Sequence, residues 1–543
     1  MNYSSGNFAA IGKRLIRGTS DVSANGSDAV RFVQSKSGFT VPQLVNSSTV
    51  SSLHSLYDPI QEAEKLCKAT QCERGMFVFF GLGAAYHIQY LLESNIITNA
   101  IIVEHNCSIV EATFKEIDLS STLKDQRILL LLDVEPEKIA LMLKETFNPH
   151  IDRRCRIFEL SGRLHGSDID YFISCKAGLE AALREILGDI AAQAAFSLPW
   201  LRNMLHNLKH RYTPRPDFIL PAKQVLIAAA GPGLEEGIQE IREKAETSWI
   251  LAVDTSLGCL LSHGITPDAV LSIDCQYIST NHFMHELPAS TTVFLDIATH
   301  PAIGASCKNV YYVGSMHPLV TLLCKDMDPF PQFDFSGGNV AYAACELADY
   351  LGAQTIELFG ADYAYTRGKT YANGTYLHTL FLSRDSRTKS LDTFFADLLF
   401  RNKSLRHEIE EDGIITYRTE LLDNYRKALR RRVSSYSAKI IFKDSKHYLY
   451  ERDSHGEIRK TNCIHQKPAK ATVFLQRYKT NLVDLEDSFI RLLDGGKSES
   501  ADSLGIFQSL FPVFAYLQGR HPNITSTRLV KEALLLTIQE IEK

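Results

Sequence analysis

The sequence has no CxxC pair. Its eleven cysteines are odd in number and scattered, with only Cys67 and Cys72 close together. That pattern argues against a zinc site and against a disulfide framework, and it fits reduced thiols in a reducing compartment. No run of about 18 apolar residues occurs, so no membrane span is expected. The first residues, Met1 to Gly18, lack an apolar h-region, so the expectation is a soluble cytoplasmic protein without a signal peptide. Positive charge is not in excess either: 58 Lys and Arg stand against 63 Asp and Glu, for a net charge of -5. A nucleic-acid partner held by overall charge is therefore not expected. The basic run Arg426 to Arg432 reads as the solvated face of a helix. No repeat of roughly 20 to 50 residues is visible, which argues against a solenoid.

What is present is ordinary for a globular chain: 45% hydrophobic and 22% charged residues over 543 positions. A single core rarely grows past roughly 250 to 300 residues, so two to three domains are expected. Residues 1–165 read as an N-terminal α/β domain. Residues 166–220 read as a helical connector and linker, 221–385 as a central Rossmann-like domain, and 386–543 as a mostly helical region.

In the first segment, Phe32-Val33-Gln34 and Phe39-Thr40-Val41 suggest a small lead-in sheet. Met76 to Phe80, Ala100 to Glu104 and Ile128 to Leu132 suggest buried strands. Gly81-Leu82-Gly83 opens a helix, with Glu104 where a ribose-binding acid would stand, but Tyr86 replaces the third glycine of the dinucleotide fingerprint. A structural turn is the preferred reading there. Leu179, Ala182, Leu183, Ile186 and Ile190 recur at helical spacing. Further on, Ser435 to Tyr450 suggests a short hairpin.

The central segment alternates strands and helices. Val225–Ala229, Trp249–Val253, Ala269–Ile273, Thr292–Leu295, Val310–Val313 and Ile356–Phe359 read as strands. This implies an α/β fold with a doubly wound parallel sheet. Ligands bind such sheets outside the C-terminal strand ends, and here those ends are polar or glycine-rich. The first ends in Gly231-Pro232-Gly233-Leu234, where small residues and a helix N-terminus suit a phosphate. Others end in Asp254-Thr255-Ser256, Asp274, Asp296 and Asp362. Ser336-Gly337-Gly338-Asn339 opens another helix. One such Asp is usually a helix cap; several on one edge suggest a cleft.

Taken together, these pieces resemble the domain shared by 6-hydroxymethylpterin diphosphokinases and the motility-associated factor (Maf) flagellin glycosyltransferases. The likeness rests on Gly231 to Leu234, Ala252 to Ser256, Gly264 to Asp268, Ser272 to Asp274, Ser336 to Ala341, Gly360 to Asp362 and Gly368 to Gly374. Gly81 to Gly83, and Trp200 followed by Asn203 and Asn207, extend it on the Maf side. The resemblance implies transfer of a sialic-acid-like (nonulosonic) sugar from a CMP-linked donor to Ser or Thr of flagellin. For that transfer Asp274 or Asp362, both expected at strand ends facing the cleft, is the candidate base. Gly231 to Leu234, Asp254 to Ser256 and Ser336 to Asn339 would hold the donor, with Tyr371 orienting it. No metal is assigned. Two positions depart from the family pattern: Gly233 stands where Ser is usual, and Tyr371 where His is usual. One alternative is a diphosphokinase using ATP and Mg²⁺, the ion held by Asp254, Asp274 or Asp362. Another is a binding module whose cleft has decayed.

Overall fold

A computed structural model describes residues 2–18, 29–45, 50–69, 73–160, 168–335, 338–366, 368–402, 404–409, 413–443, 462–496 and 500–543. The chain forms two compact units. The first comprises Met1–Ala194, Asp487–Ser498 and Gln518–Thr527; the second comprises Ala195–Glu486, Glu499–Leu517 and Arg528–Lys543. The four successive segments read from the sequence are thus regrouped. The connector is one 42-residue helix, Ile169–His210, that begins in the first unit and ends in the second. Parts of the C-terminal region belong to each unit.

The first unit is built on a five-stranded parallel sheet. Its order is Leu15–Arg17, Ile128–Leu132, Ile97–Glu104, Gly75–Phe80 and Cys155–Glu159. Every residue of Gly75–Phe80 is buried, as a parallel strand covered on both faces requires. Phe172, Cys175, Leu179 and Ala182 of the long helix pack with Met76, Val78 and Phe80, which explains their helical spacing. Strands Ala29–Gln34 and Thr40–Val45 do pair antiparallel, with Val33 opposite Val41. The Gly81–Ala84 turn is occupied by protein side chains. His54 Nε2 accepts from Ala84 N–H at 2.9 Å, and a Cβ on Gly83 would lie 2.5 Å from that same nitrogen. Glu104 is wholly buried and accepts from His105 N–H at 3.1 Å. His54 therefore packs directly against this turn.

The second unit carries an eight-stranded sheet, every pair of it parallel. In chain order its strands are β1 (Gln224–Ala228), β2 (Trp249–Val253), β3 (Ala269–Ser272), β4 (Thr292–Asp296), β5 (Val310–Ser315), β6 (Gln332–Phe333), β7 (Thr355–Phe359) and β8 (Lys439–Lys443). Across the sheet they run 6-5-4-3-2-1-7-8. The chain therefore winds away from β1 on one side and returns for β7 on the other. Helix α1 (Val340–Tyr350) covers one face with Ala343, Ala344, Leu347 and Ala348, all fully buried. Its small residues let the helix sit close to the sheet, while a leucine buried as Leu347 is contributes about 1.5 to 3 kcal/mol.

One reading extends and one needs correction here. Lys439–Lys443, the first half of the expected hairpin, pairs parallel with β7, with Ile440 opposite Ile356; Tyr448 and Tyr450, in its second half, lie outside the described residues. The basic run on helix Glu420–Val433 is not only a solvated face. Arg432 makes a two-pronged pair with Glu346 at 2.6 and 3.0 Å, and Arg426 meets Asp423 at 3.2 Å. Among the described residues, no helix is long and apolar enough to cross a membrane.

Candidate functional site

The reversal of strand order falls between β1 and β7, and in an open α/β sheet this is where the strand ends leave a crevice. The chain closes that crevice as a short ladder. At the ends of the two strands, Ala229 N–H donates to the Phe359 carbonyl at 2.8 Å and Gly231 N–H to the Gly360 carbonyl at 2.8 Å. Gly233 N–H then donates to Asp362 Oδ2 at 2.7 Å. This contact depends on the absence of Cβ atoms. One built on Gly231 would lie 2.3 Å from Asp362 Oδ2, and one on Gly233 would lie 2.3 Å from Oδ1. Gly360 adopts φ +66° and would otherwise meet the Ala229 carbonyl at 2.6 Å, so no other residue fits without strain. The N–H groups expected to hold a phosphate at Gly231 and Gly233 are thus engaged by the protein, the second by a carboxylate.

Asp362 is consequently an unusual acid. Its Oδ1 is shielded from solvent and has no hydrogen-bond partner among the described residues. Burial, with Glu236 and Glu235 nearby, raises its carboxyl from 3.8 to about 6, against the opposing pull of the Gly233 N–H. An ordinary helix cap would be stabilised as the anion. The surroundings of Asp362 instead disfavour its charge, and shifts of this kind concentrate at functional sites.

The segment after β7 folds back over the same turn. Ala372 N–H donates to the Ala230 carbonyl at 2.9 Å. Glu235 Oε1, in the first turn of helix Leu234–Lys244, accepts from Asn373 N–H at 2.7 Å. Lys369 Nζ reaches the Glu235 carboxylate at 3.1 Å. Glu235 and Lys369 thus border the glycine turn. Glu235 was not singled out from the sequence, its only signal being an acid one turn into a helix that follows a glycine turn; Lys369 was read only within the run Gly368 to Gly374.

Asp254 and its neighbours turn inward. Asp254 is 2% exposed. It accepts from Thr255 N–H at 2.7 Å, from Thr255 Oγ1 at 3.0 Å and from Ser272 Oγ at 2.6 Å. Ser256 Oγ donates to the Ala228 and Val253 carbonyls at 2.6 and 2.8 Å. These groups fix the ends of β1, β2 and β3 to one another, and Asp254 and Ser256 present no open polar face to a nucleotide. Tyr371 lies beside Asp254, Tyr365 and Tyr425, and burial raises its phenol.

Asp274 stands apart. It accepts from Gln276 N–H at 3.0 Å and from Ser279 Oγ at 2.6 Å, which starts the 3₁₀ turn Tyr277–Phe283. Its strand, β3, is three places from β7, about 14 Å across the sheet at the usual spacing. Asp274 and Asp362 therefore do not stand together at one strand end. At the remaining predicted turn, Asn339 Oδ1 accepts from Tyr342 N–H at 3.0 Å and caps α1. Gly338 has φ +75° and lies so close to Tyr425 that a Cβ would be 2.7 Å from its ring. Ser336 and Gly337 lie outside the described residues. The residues do not fit a protein-built Mg²⁺ cage. Asp254 and Asp274 already accept hydrogen bonds from the protein, and no group of three or more His, Cys, Asp or Glu side chains converges among the described residues.

Two asparagines support the crevice from the long helix. Asn203 Nδ2 donates to the Cys275 and Ala298 carbonyls at 2.8 and 2.9 Å. Asn207 Nδ2 donates to the Ile297 and Thr299 carbonyls at 2.9 and 2.7 Å. Four residues apart on one helix face, they tie together the loops that follow β3 and β4.

Residues 202–368 match the family described as 6-hydroxymethylpterin diphosphokinase MptE-like. Uncharacterized proteins of Treponema pallidum (strain Nichols) are similar over parts of the chain. One is 33% identical over 150 residues, 27% of this chain and 52% of that protein. Another is 38% identical over 100 residues, 18% of this chain and 48% of that protein. The chain thus spans about half the length of these two relatives. Among solved structures, the MAf glycosyltransferase from Magnetospirillum magneticum AMB-1 superposes with a TM-score of 0.55. It is 15% identical, and the match covers 94% of this chain and 86% of that one. The likeness therefore extends well beyond the central domain, and it is a likeness of fold.

Proposed function

We propose, from an MptE-like central domain carried on the fold of a Maf glycosyltransferase, that this chain transfers a sugar from a nucleotide-linked donor to a protein hydroxyl. The donor that the Maf resemblance implies is a CMP-linked nonulosonic acid, and the acceptor it implies is Ser or Thr of flagellin. The observation that carries the reading is the Asp362 carboxyl. It is seated on a glycine turn at the strand-order reversal, with one oxygen unpartnered and its acidity weakened by burial.

In this reading Asp362 takes the proton of the acceptor hydroxyl. The acceptor oxygen bonds to the anomeric carbon as the bond from that carbon to the phosphate oxygen breaks. The electron pair leaves with CMP. A base of pKa near 6 suits this task at neutral pH, because it is ionised yet more basic than an ordinary carboxylate. Protonation would also weaken its hold on the Gly233 N–H, freeing that donor as the leaving phosphate gains charge. Lys369 and the Glu235 clamp keep the covering segment over the crevice, and Tyr371 flanks it. Asp274 shapes the loop after β3.

The second reading, a diphosphokinase-like pyrophosphate transfer from ATP, is favoured by the family match alone. Titration of the purified chain with CMP, a CMP-linked sugar, ATP and hydroxymethylpterin separates the two. Binding of the cytidine compounds supports the glycosyltransferase, and ATP together with the pterin supports the kinase. Binding of none leaves the reading of a non-catalytic module.

A further inference from the structure

The second unit has a pocket of about 450 Å³ whose chemistry the reading above does not use. One wall is a stripe of the long helix. Arg202, His206, Lys209 and His210 follow one another at spacings of four, three and one, so they share a face. The rest of the lining brings His300, from the loop after β4, and Lys543, just past helix Ser526–Glu542. The pocket thus collects three permanent cations and three imidazoles in a chain whose net charge is -5.

One carboxylate opposes them. Glu540 is 7% exposed; its Oε1 accepts from Arg202 Nε and Nη2 at 3.0 and 2.9 Å and from Lys543 Nζ at 2.9 Å. Among the side chains that line the pocket, one acid shared by two cations leaves positive charge unbalanced. Lys209 adds to it, since among the described residues its ammonium donates to the neutral Ile541 carbonyl. His206 is held below its ordinary pKa by burial and by the neighbouring His210, Arg211, His300 and Lys209. Like charges crowded into one cavity repel, and an anion entering it relieves that repulsion.

The volume is within the roughly 300 to 1,000 Å³ of small-molecule sites and is larger than a bare phosphate needs. Placement is informative as well. Asn203, which also lines the pocket, holds the loops after β3 and β4. The pocket therefore adjoins the same C-terminal sheet edge as the glycine turn. It lies two to three strands over, roughly 10 to 15 Å at the usual strand spacing.

We propose that this pocket is a second ligand site, for the phosphate group of a small phosphate ester. It stands on its own charge and shape and does not depend on the glycosyltransferase reading. The test is calorimetric titration of the full chain at low salt with a hexose phosphate, inorganic phosphate and the neutral hexose. The phosphate-bearing probes are expected to bind at least tenfold more tightly than the neutral hexose. Of those two, the tighter names the source, ester or free ion. H206A combined with K543A is expected to weaken that binding at least fivefold. E540Q, which removes the opposing charge, is expected to tighten it severalfold, a gain that misfolding cannot produce. Equal affinity for the neutral and phosphorylated hexose overturns the proposal, as does phosphate binding that neither variant changes.

Discussion

The carboxylate of Asp362 occupies the turn formed by Gly231, Pro232 and Gly233, accepting the Gly233 N–H at 2.7 Å, where a phosphate was expected to sit. The turn and the acid therefore share a single donor, and the behaviour of either one depends on the other.

Gly233 has φ -61° and ψ -16°, a backbone any residue adopts, so only the space beside Asp362 demands glycine. G233S should push the carboxylate aside and release the N–H. Steady-state kinetics should then show a lower KM for the donor together with a kcat reduced about tenfold or more, the scale of a misplaced base. Unchanged kcat and KM would mean that the contact has no part in the chemistry.

Burial raises Asp362 to about 6, and the sign of the pH effect follows. The folded chain holds that proton more tightly than the unfolded chain. The stability this contributes is present in full below about pH 4 and lost as pH rises through 6. At pH 7.5, D362N should therefore be more stable than wild type by ~1–2 kcal/mol, after allowance for partial solvent screening. The difference should fade toward pH 4. Denaturant unfolding at both pH values measures it, and a variant less stable at pH 7.5 would contradict the assignment. In the same account, kcat/KM rises with pH up to about 6 and then levels off.

Removing the Asn203 amide strands two buried carbonyls. N203A is expected to cost ~2–4 kcal/mol. Amide exchange should quicken first in the loops around Cys275 and Ala298. Uniform quickening across the unit would show that the tie is not local.

The central strands were legible because buried apolar runs ended in acids or glycines, and Trp249–Val253 and Thr355–Phe359 followed almost residue for residue. The strand Lys439–Lys443 was not, because its alternating burial looks the same in a hairpin. Only a parallel partner far along the chain reveals its place. Asp254, Ser256 and Asp362 looked alike as polar residues at strand ends. Their difference is three-dimensional: the first two find buried partners on β1, β2 and β3, whereas Asp362 meets backbone without Cβ atoms. Asn203 and Asn207 showed their spacing but not the four carbonyls they bind. Lys369 was read only as one member of the run Gly368 to Gly374, and Glu235 carried no signal beyond its place one turn into a helix.

If flagellin is the acceptor, loss of the gene should leave it lighter by the mass of the transferred sugar. Intact-mass spectrometry of flagellin checks this, and an unchanged mass would point to another acceptor protein.

The most direct test compares D362N with D274N in transfer from a CMP-linked nonulosonic acid to a protein hydroxyl. Asp274 starts a 3₁₀ turn, a role asparagine also fills, so D274N should stay within about threefold of wild type. D362N should bind donor yet turn over about 10²-fold or more slowly, the scale of a lost base. A folded D362N with wild-type turnover would contradict the account.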